Sequence, residues 1–123
     1  MIMITAMIQP FRLEHVRREL LADDITGLTA CECAGHGRQP RIVPSRRGGP
    51  DLKDVLPKVE IMVAVPSHRR DDAIAAIVRG ARLGNIGDGK IFVSRLDRVV
   101  SIRTGFENDD ALAGPYRMAD AAE

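Results

Sequence analysis

A chain that alternates strand, helix, strand, loop, strand, helix, strand within 123 residues has few ways to fold. Residues 1–9 are apolar and β-branched enough for a buried strand, which Pro10 closes. From Phe11 to Ala22, Leu13, Val16 and Leu20 share one face, while Glu14, Arg17, Arg18 and Glu19 hold the other. That spacing predicts an amphipathic helix, stopped by Asp23-Asp24 and Gly27. A second strand over 28–34 is bounded by Gly35 and Gly37. Strand character resumes from Val55 to Val65 and ends at Pro66, and Ser67 is placed to cap the helix that follows. There Ala73, Ile74, Ile77, Val78 and Ala81 form the apolar stripe, and Gly84 marks the stop. A strand at 90–96 and a short one at 98–102 complete the pattern. From Glu107 the chain is acidic and rich in small residues, which predicts a mobile tail. The order is that of the split βαβ or ferredoxin-like fold: an α+β domain, a four-stranded antiparallel sheet with both helices on one face. The domain is expected over residues 1–112, with 113–123 as the tail. No further segment is left to cover the second sheet face, so self-association through it is expected.

Composition narrows the classes of partner. Aromatic residues are 3% of the chain and tryptophan is absent, so the core must be built from Ile, Val, Leu, Met and Ala. A net charge of +1 gives no global drive toward nucleic acid or anionic lipid. No apolar run approaches the ~20 residues that span a bilayer. Met1-Ile2-Met3-Ile4 lacks the basic region of a signal peptide and is read as the first strand of a cytoplasmic protein. Cys31 and Cys33 stand at i and i+2, on one face of a strand. A disulfide at that spacing would be strained. They read as two small, partly buried residues. The alternative is a thiolate pair for a soft metal, helped by His36, but two thiolates fall short of a closed zinc site.

Two segments carry chemistry. Ile86-Gly87-Asp88-Gly89-Lys90-Ile91-Phe92-Val93 is a glycine-flanked turn that runs into a lysine and then a strand. Glycines let backbone N–H groups approach a ligand closely, and the lysine supplies a point charge suited to phosphate oxygens. Ile102-Arg103-Thr104-Gly105 adds a second cation, a hydroxyl and a glycine. Together they read as an anion cradle suited to a nucleotide phosphate, although no P-loop or G-x-G-x-x-G pattern occurs. The run from His36 to Lys53 is different. It holds Gly37, Pro40, Pro44, Gly48, Gly49 and Pro50 among Arg38, Arg41, Arg46 and Arg47, without any period of 2 or 3.6. A long exposed loop inside a small domain is usually functional or disordered. No Ser/His/Asp or Cys/His set stands at telling spacing, so an enzyme is not expected.

At this point the residues resemble the PII signal-transduction family. The resemblance runs from residue 1 to about 112 and is carried by Ile8-Gln9-Pro10-Phe11, Gly27-Leu28-Thr29, Gly35-His36-Gly37-Arg38-Gln39, Leu56-Pro57-Lys58-Val59, Ile86–Val93 and Ile102–Gly105. It implies a homotrimer that binds ADP or ATP, with Mg2+ possible beside ATP, in clefts between subunits. It also implies control of a target transporter or enzyme through a T-loop at about 37–55. By position, Gly87, Asp88 and Gly89 resemble the backbone loop around the phosphates, and Lys90 and Arg103 match two phosphate cations. Thr29, Gly35, Gly37, Arg38 and Gln39 match the adenine side and the base of the T-loop. Gln39 also matches the magnesium ligand, and Lys58 the partner of the 2-oxoglutarate carboxylate. Arg41, Arg46, Arg47 and Asp51 fall on the partner-binding loop.

The chain departs from the family pattern at telling places. Ser101 stands where an arginine is usual, and losing a charged phosphate contact costs about 1.5–3 kcal/mol, so ADP or AMP gains on ATP. Pro40-Arg41 replaces a flexible residue and a glycine, and proline offers no N–H to 2-oxoglutarate. Asp51 replaces the tyrosine that many relatives have uridylylated. These departures suggest a divergent paralogue with a rewritten T-loop. Alternative roles are a metal-binding regulatory trimer linked to metal efflux, or a sensor of bicarbonate and carbon status.

Overall fold

A computed structural model describes residues 1–35 and 56–113. Strand β1 (Ile2–Ile8) leads through a 3-10 turn, Pro10–Arg12, into helix α1 (Leu13–Ala22) and strand β2 (Leu28–Gly35). Strand β3 (Leu56–Val65) leads through a second 3-10 turn, Ser67–Arg69, into helix α2 (Arg70–Ala81), strand β4 (Gly89–Arg95) and a short helix α3 (Asp109–Leu112). The sheet order is β2-β3-β1-β4, antiparallel throughout. This is the ferredoxin-like α+β arrangement that the strand and helix periods predict.

The period of 2 in β1 and β3 decides which side is inside. Ile2, Ile4, Ala6 and Ile8 face Val65, Val63, Ile61 and Val59 across the ladder, and all eight are buried. Both helices cover that face, laying Val16, Leu20, Ala73, Ala76 and Ile77 onto it. The predicted stripe on α2 is rotated slightly. Ala76 and Gly80 are buried, while Ile74 and Val78 are only half-buried. Small residues prevail there because the helices touch backbone to backbone: a Cβ on Gly80 would stand 2.6 Å from Val16 Cα.

Three local expectations are corrected. Residues 98–102 form no strand. Only an isolated bridge, Val100 with Glu107, remains, because the chain turns at 101–104. Ser67 does not cap α2: its hydroxyl accepts a hydrogen bond from the Met1 ammonium at 2.8 Å, and no side chain caps either helical segment there. The tail does not begin at Glu107. That carboxylate pairs with Arg98, the Asn108 N–H bonds to Val99 O at 2.8 Å, and α3 follows. The tail proper, from 114, lies outside the described residues.

The second sheet face carries Met3, Thr5, Met7, Met62 and Ala64, all half-buried, with Phe92 53% exposed at the edge. Among the described residues the two long helices α1 and α2 pack on the other face, and only the short α3 reaches β3, near Ala64 at one end. Among the described residues, no helix is long and apolar enough to cross a membrane.

Candidate anion-binding site

The turn between α2 and β4 is built around one carboxylate. Asp88 Oδ2 accepts the backbone N–H groups of Leu83 at 2.9 Å, Gly84 at 2.8 Å and Asn85 at 3.3 Å. The side chain thus organises the loop, and what it leaves for a ligand is backbone. The Leu83 N–H, then those of Gly84 and Asn85 and the charge of Arg82, hold the Asp88 carboxyl below its ordinary value against a modest opposing effect of desolvation. A lowered folded value stabilises the loop above the unfolded pKa, and that contribution is lost as pH falls through the folded value. Loop order should therefore be constant at neutral pH and decline only in acid. Asp88→Ala should release the three N–H groups at neutral pH, read as faster hydrogen exchange over 83–85 with the helix amides unchanged.

Glycines supply the rest of the turn. Gly84, Gly87 and Gly89 have φ of +86°, +102° and +111°, a region that side chains disfavour. At Gly89 space forbids one as well, since a Cβ would stand 1.7 Å from Met7 O. The Gly87 carbonyl is held from outside the loop: Gln9 Nε2 donates to it at 2.8 Å and Lys58 Nζ at 3.1 Å. Lys90, exposed, follows on the open sheet face opposite Met7. A hollow of about 260 Å³ runs along this turn, lined by Met7, Arg82, Asp88, Gly89 and Lys90.

Gly35 joins the same corner. It ends β2, pairs with Leu56, and a Cβ on it would meet Lys58 Cγ at 3.1 Å. Lys58 therefore links Gly35 to the Gly87 turn, and both ends of the 36–55 segment issue beside it; Lys90 lies on β4, the opposite edge strand from Gly35.

Thr29 and Arg103 do not join them. Thr29 lies exposed on β2, the edge opposite β4. Three strand spacings, about 14 Å, separate those edges. Arg103 sits in the segment after Arg95, beyond the other end of β4. There Ser101 N–H donates to Phe106 O at 2.9 Å, Thr104 N–H to Ser101 Oγ at 3.4 Å, and Phe106 N–H to Thr104 Oγ1 at 3.1 Å. The turn displays Arg103 and a fully exposed Ile102. Near the start of β2 a second hollow, about 270 Å³, is lined by Thr26, Gly27, Ala64, Val65, His68 and Ala111. Neither Thr29 nor Arg103 is among the described residues that line these two hollows.

The profile of the family described as nitrogen regulatory protein P-II matches residues 1–106. A nitrogen regulatory protein P-II of Haemophilus influenzae is 47% identical over 109 residues, 89% of this chain and 97% of the relative. Proteins of the same description from Pasteurella multocida and Escherichia coli K12 are 46% identical over the same shares. The chain belongs to the P-II family.

Membership makes this a regulatory, signal-transducing domain. Gly37, Arg38, Gln39, Arg41, Arg46, Arg47 and Asp51 lie outside the described residues. Cys31 is exposed and Cys33 half-buried, both free thiols, opposite Glu60 and Lys58 on β3. Cys31 is thus not the partly buried residue expected: β2 is an edge strand, and the face that carries Cys31 lies away from α1 and α2. Among the described residues, no three His, Cys, Asp or Glu side chains gather as a metal site. The residue that sequence reasoning missed is Gln9. Its segment is part of the P-II resemblance, but its reach to Gly87, 78 residues away in sequence, appears only once β1 and β4 are paired.

Proposed function

We propose that this P-II protein is a homotrimer that binds an adenine nucleotide between subunits and passes its nucleotide state to a target transporter or enzyme through the 37–55 loop. The observation that carries the reading is the glycine turn itself, which sets the Lys90 cation beside left-handed glycines on the open sheet face, with Thr29 three strand spacings away on the opposite edge. A second copy laid on the open sheet face would bring one chain's Thr29 and Arg103 toward another's Lys90, and would cover Phe92 and the methionines in the same step. The 36–55 segment starts and ends beside Lys58, itself bonded to the phosphate turn. Occupancy of that turn therefore has a short route into the loop.

ADP is the favoured ligand. Ser101 contributes its hydroxyl to the 101–106 turn and carries no charge for a third phosphate. Mg2+ would enter only beside ATP, through Gln39. Light scattering should give three times the monomer mass, and calorimetry should show ADP binding at least as tightly as ATP, with 2-oxoglutarate weak because of Pro40. A stable monomer, or no heat with any adenine nucleotide, would overturn the reading.

A further inference from the structure

Given that nucleotide reading, on which this step rests, we infer that Gln9 is a positioning residue for the phosphate-binding turn: it fixes the Gly87–Asp88 peptide and so the backbone that leads into Lys90. The Gly87 oxygen accepts Gln9 Nε2 at 2.8 Å, and at the other end of the same peptide the Asp88 N–H donates to Asn85 O at 3.3 Å. The peptide is therefore pinned at both ends. Without Gln9 the peptide would keep only Lys58 on its carbonyl and the long Asp88–Asn85 bond, and Gly87, at φ +102°, pays almost no steric penalty for alternative backbone angles. A flip would turn the Gly87 oxygen toward Asn85 O, break both bonds and loosen the turn that leads into Lys90.

Gln9 is prepared for this task by its neighbours. The residue before a proline is confined to extended backbone, and Gln9 has φ −67° and ψ 137°. Its carbonyl accepts the Arg12 N–H at 3.0 Å. The last pairs of the ladder, Ile8 with Val59 and Ile8 with Gly89, place it in a row between Lys58 and Asp88. Lys58 Nζ also reaches the Gly87 oxygen, at 3.1 Å, so the carbonyl has two side-chain donors, of which Gln9 is the nearer.

The test compares Gln9→Leu, which removes the donor, with Gln9→Lys, which keeps one. Two readouts are taken: ADP affinity by calorimetry, and hydrogen exchange over residues 83–90 without nucleotide. Gln9→Leu should weaken ADP about three- to tenfold, the range for one lost hydrogen bond, and speed exchange in that segment alone. Gln9→Lys should stay within about twofold of wild type on both. Should Gln9→Leu not fold, Gln9→Glu, which sets a carboxylate against the carbonyl, is expected to show the same losses. Equal ADP affinity in wild type and the donor-free variant overturns the inference, as do equal losses in the Leu and Lys variants, which would mark Gln9 as packing only. A wild type that binds no ADP overturns the nucleotide reading instead. The exchange arm still decides the pin, since unchanged exchange over 83–90 in Gln9→Leu refutes it.

Discussion

Gly89→Ala should cost about 2–4 kcal/mol of stability and at least tenfold in ADP affinity. Two independent effects act together. The residue sits at φ +111°, which an L side chain tolerates poorly. Its Cβ would also be driven to 1.7 Å from Met7 O and 2.8 Å from Met7 C, and that backbone belongs to β1, the centre of the sheet, so it cannot step aside. The first pairs of β4, Gly89 with Ile8 and Lys90 with Met7, must open instead. Opening them moves Lys90 and the turn that carries the N–H groups. Gly84→Ala separates the two effects, because Gly84 has φ +86° but nothing within 4 Å of an added Cβ. It should show only the conformational cost, about 1 kcal/mol. Urea denaturation measures both variants. If the two cost the same, crowding against Met7 is not what makes glycine necessary at 89.

The elements set by simple periods were legible in the sequence. The apolar, β-branched run of β1 and the i, i+3, i+7 spacing of Leu13, Val16 and Leu20 mark a strand and a helix, and both form there, with Val16 and Leu20 buried and Leu13 half-buried. What failed depended on contacts between distant segments or on turn chemistry. The strand propensity of Val99, Val100 and Ile102 lost to the turn built by Ser101, Thr104 and Gly105. Ser67 lost its capping role to a nearby ammonium. On α2 the packed stripe shifted toward Gly80, because close approach of two helices rewards the smallest residue and hydrophobic spacing cannot register that. The two cationic, glycine-bearing segments stood out in the sequence, but what their side chains do locally did not. Asp88 appears in the sequence as part of a phosphate loop, whereas its carboxylate holds three N–H groups of its own chain. Gln9 carries no signal until the sheet register brings it to Gly87.

On the proposed site between subunits, with Lys90 and Arg103 supplied by different chains, a second large effect is expected. Lys90→Ala and Arg103→Ala should each weaken ADP about tenfold or more, as loss of a charged phosphate contact does. Both variants assembled separately should therefore bind poorly. Co-refolded in equal amounts they should recover part of the lost binding. In a cyclic trimer a mixed interface can set an intact Lys90 from the Arg103→Ala chain against an intact Arg103 from the Lys90→Ala chain. Random assembly makes about one interface in four of that kind. Calorimetry should then resolve a minor class of sites with wild-type affinity, at a stoichiometry near a quarter of the total. A site contained within one chain cannot be restored by mixing, since each chain would keep its own defect. Failure to recover any tight sites, with mixed trimers verified by mass, would place Lys90 and Arg103 in the same chain's pocket and remove the main argument for a nucleotide site between subunits.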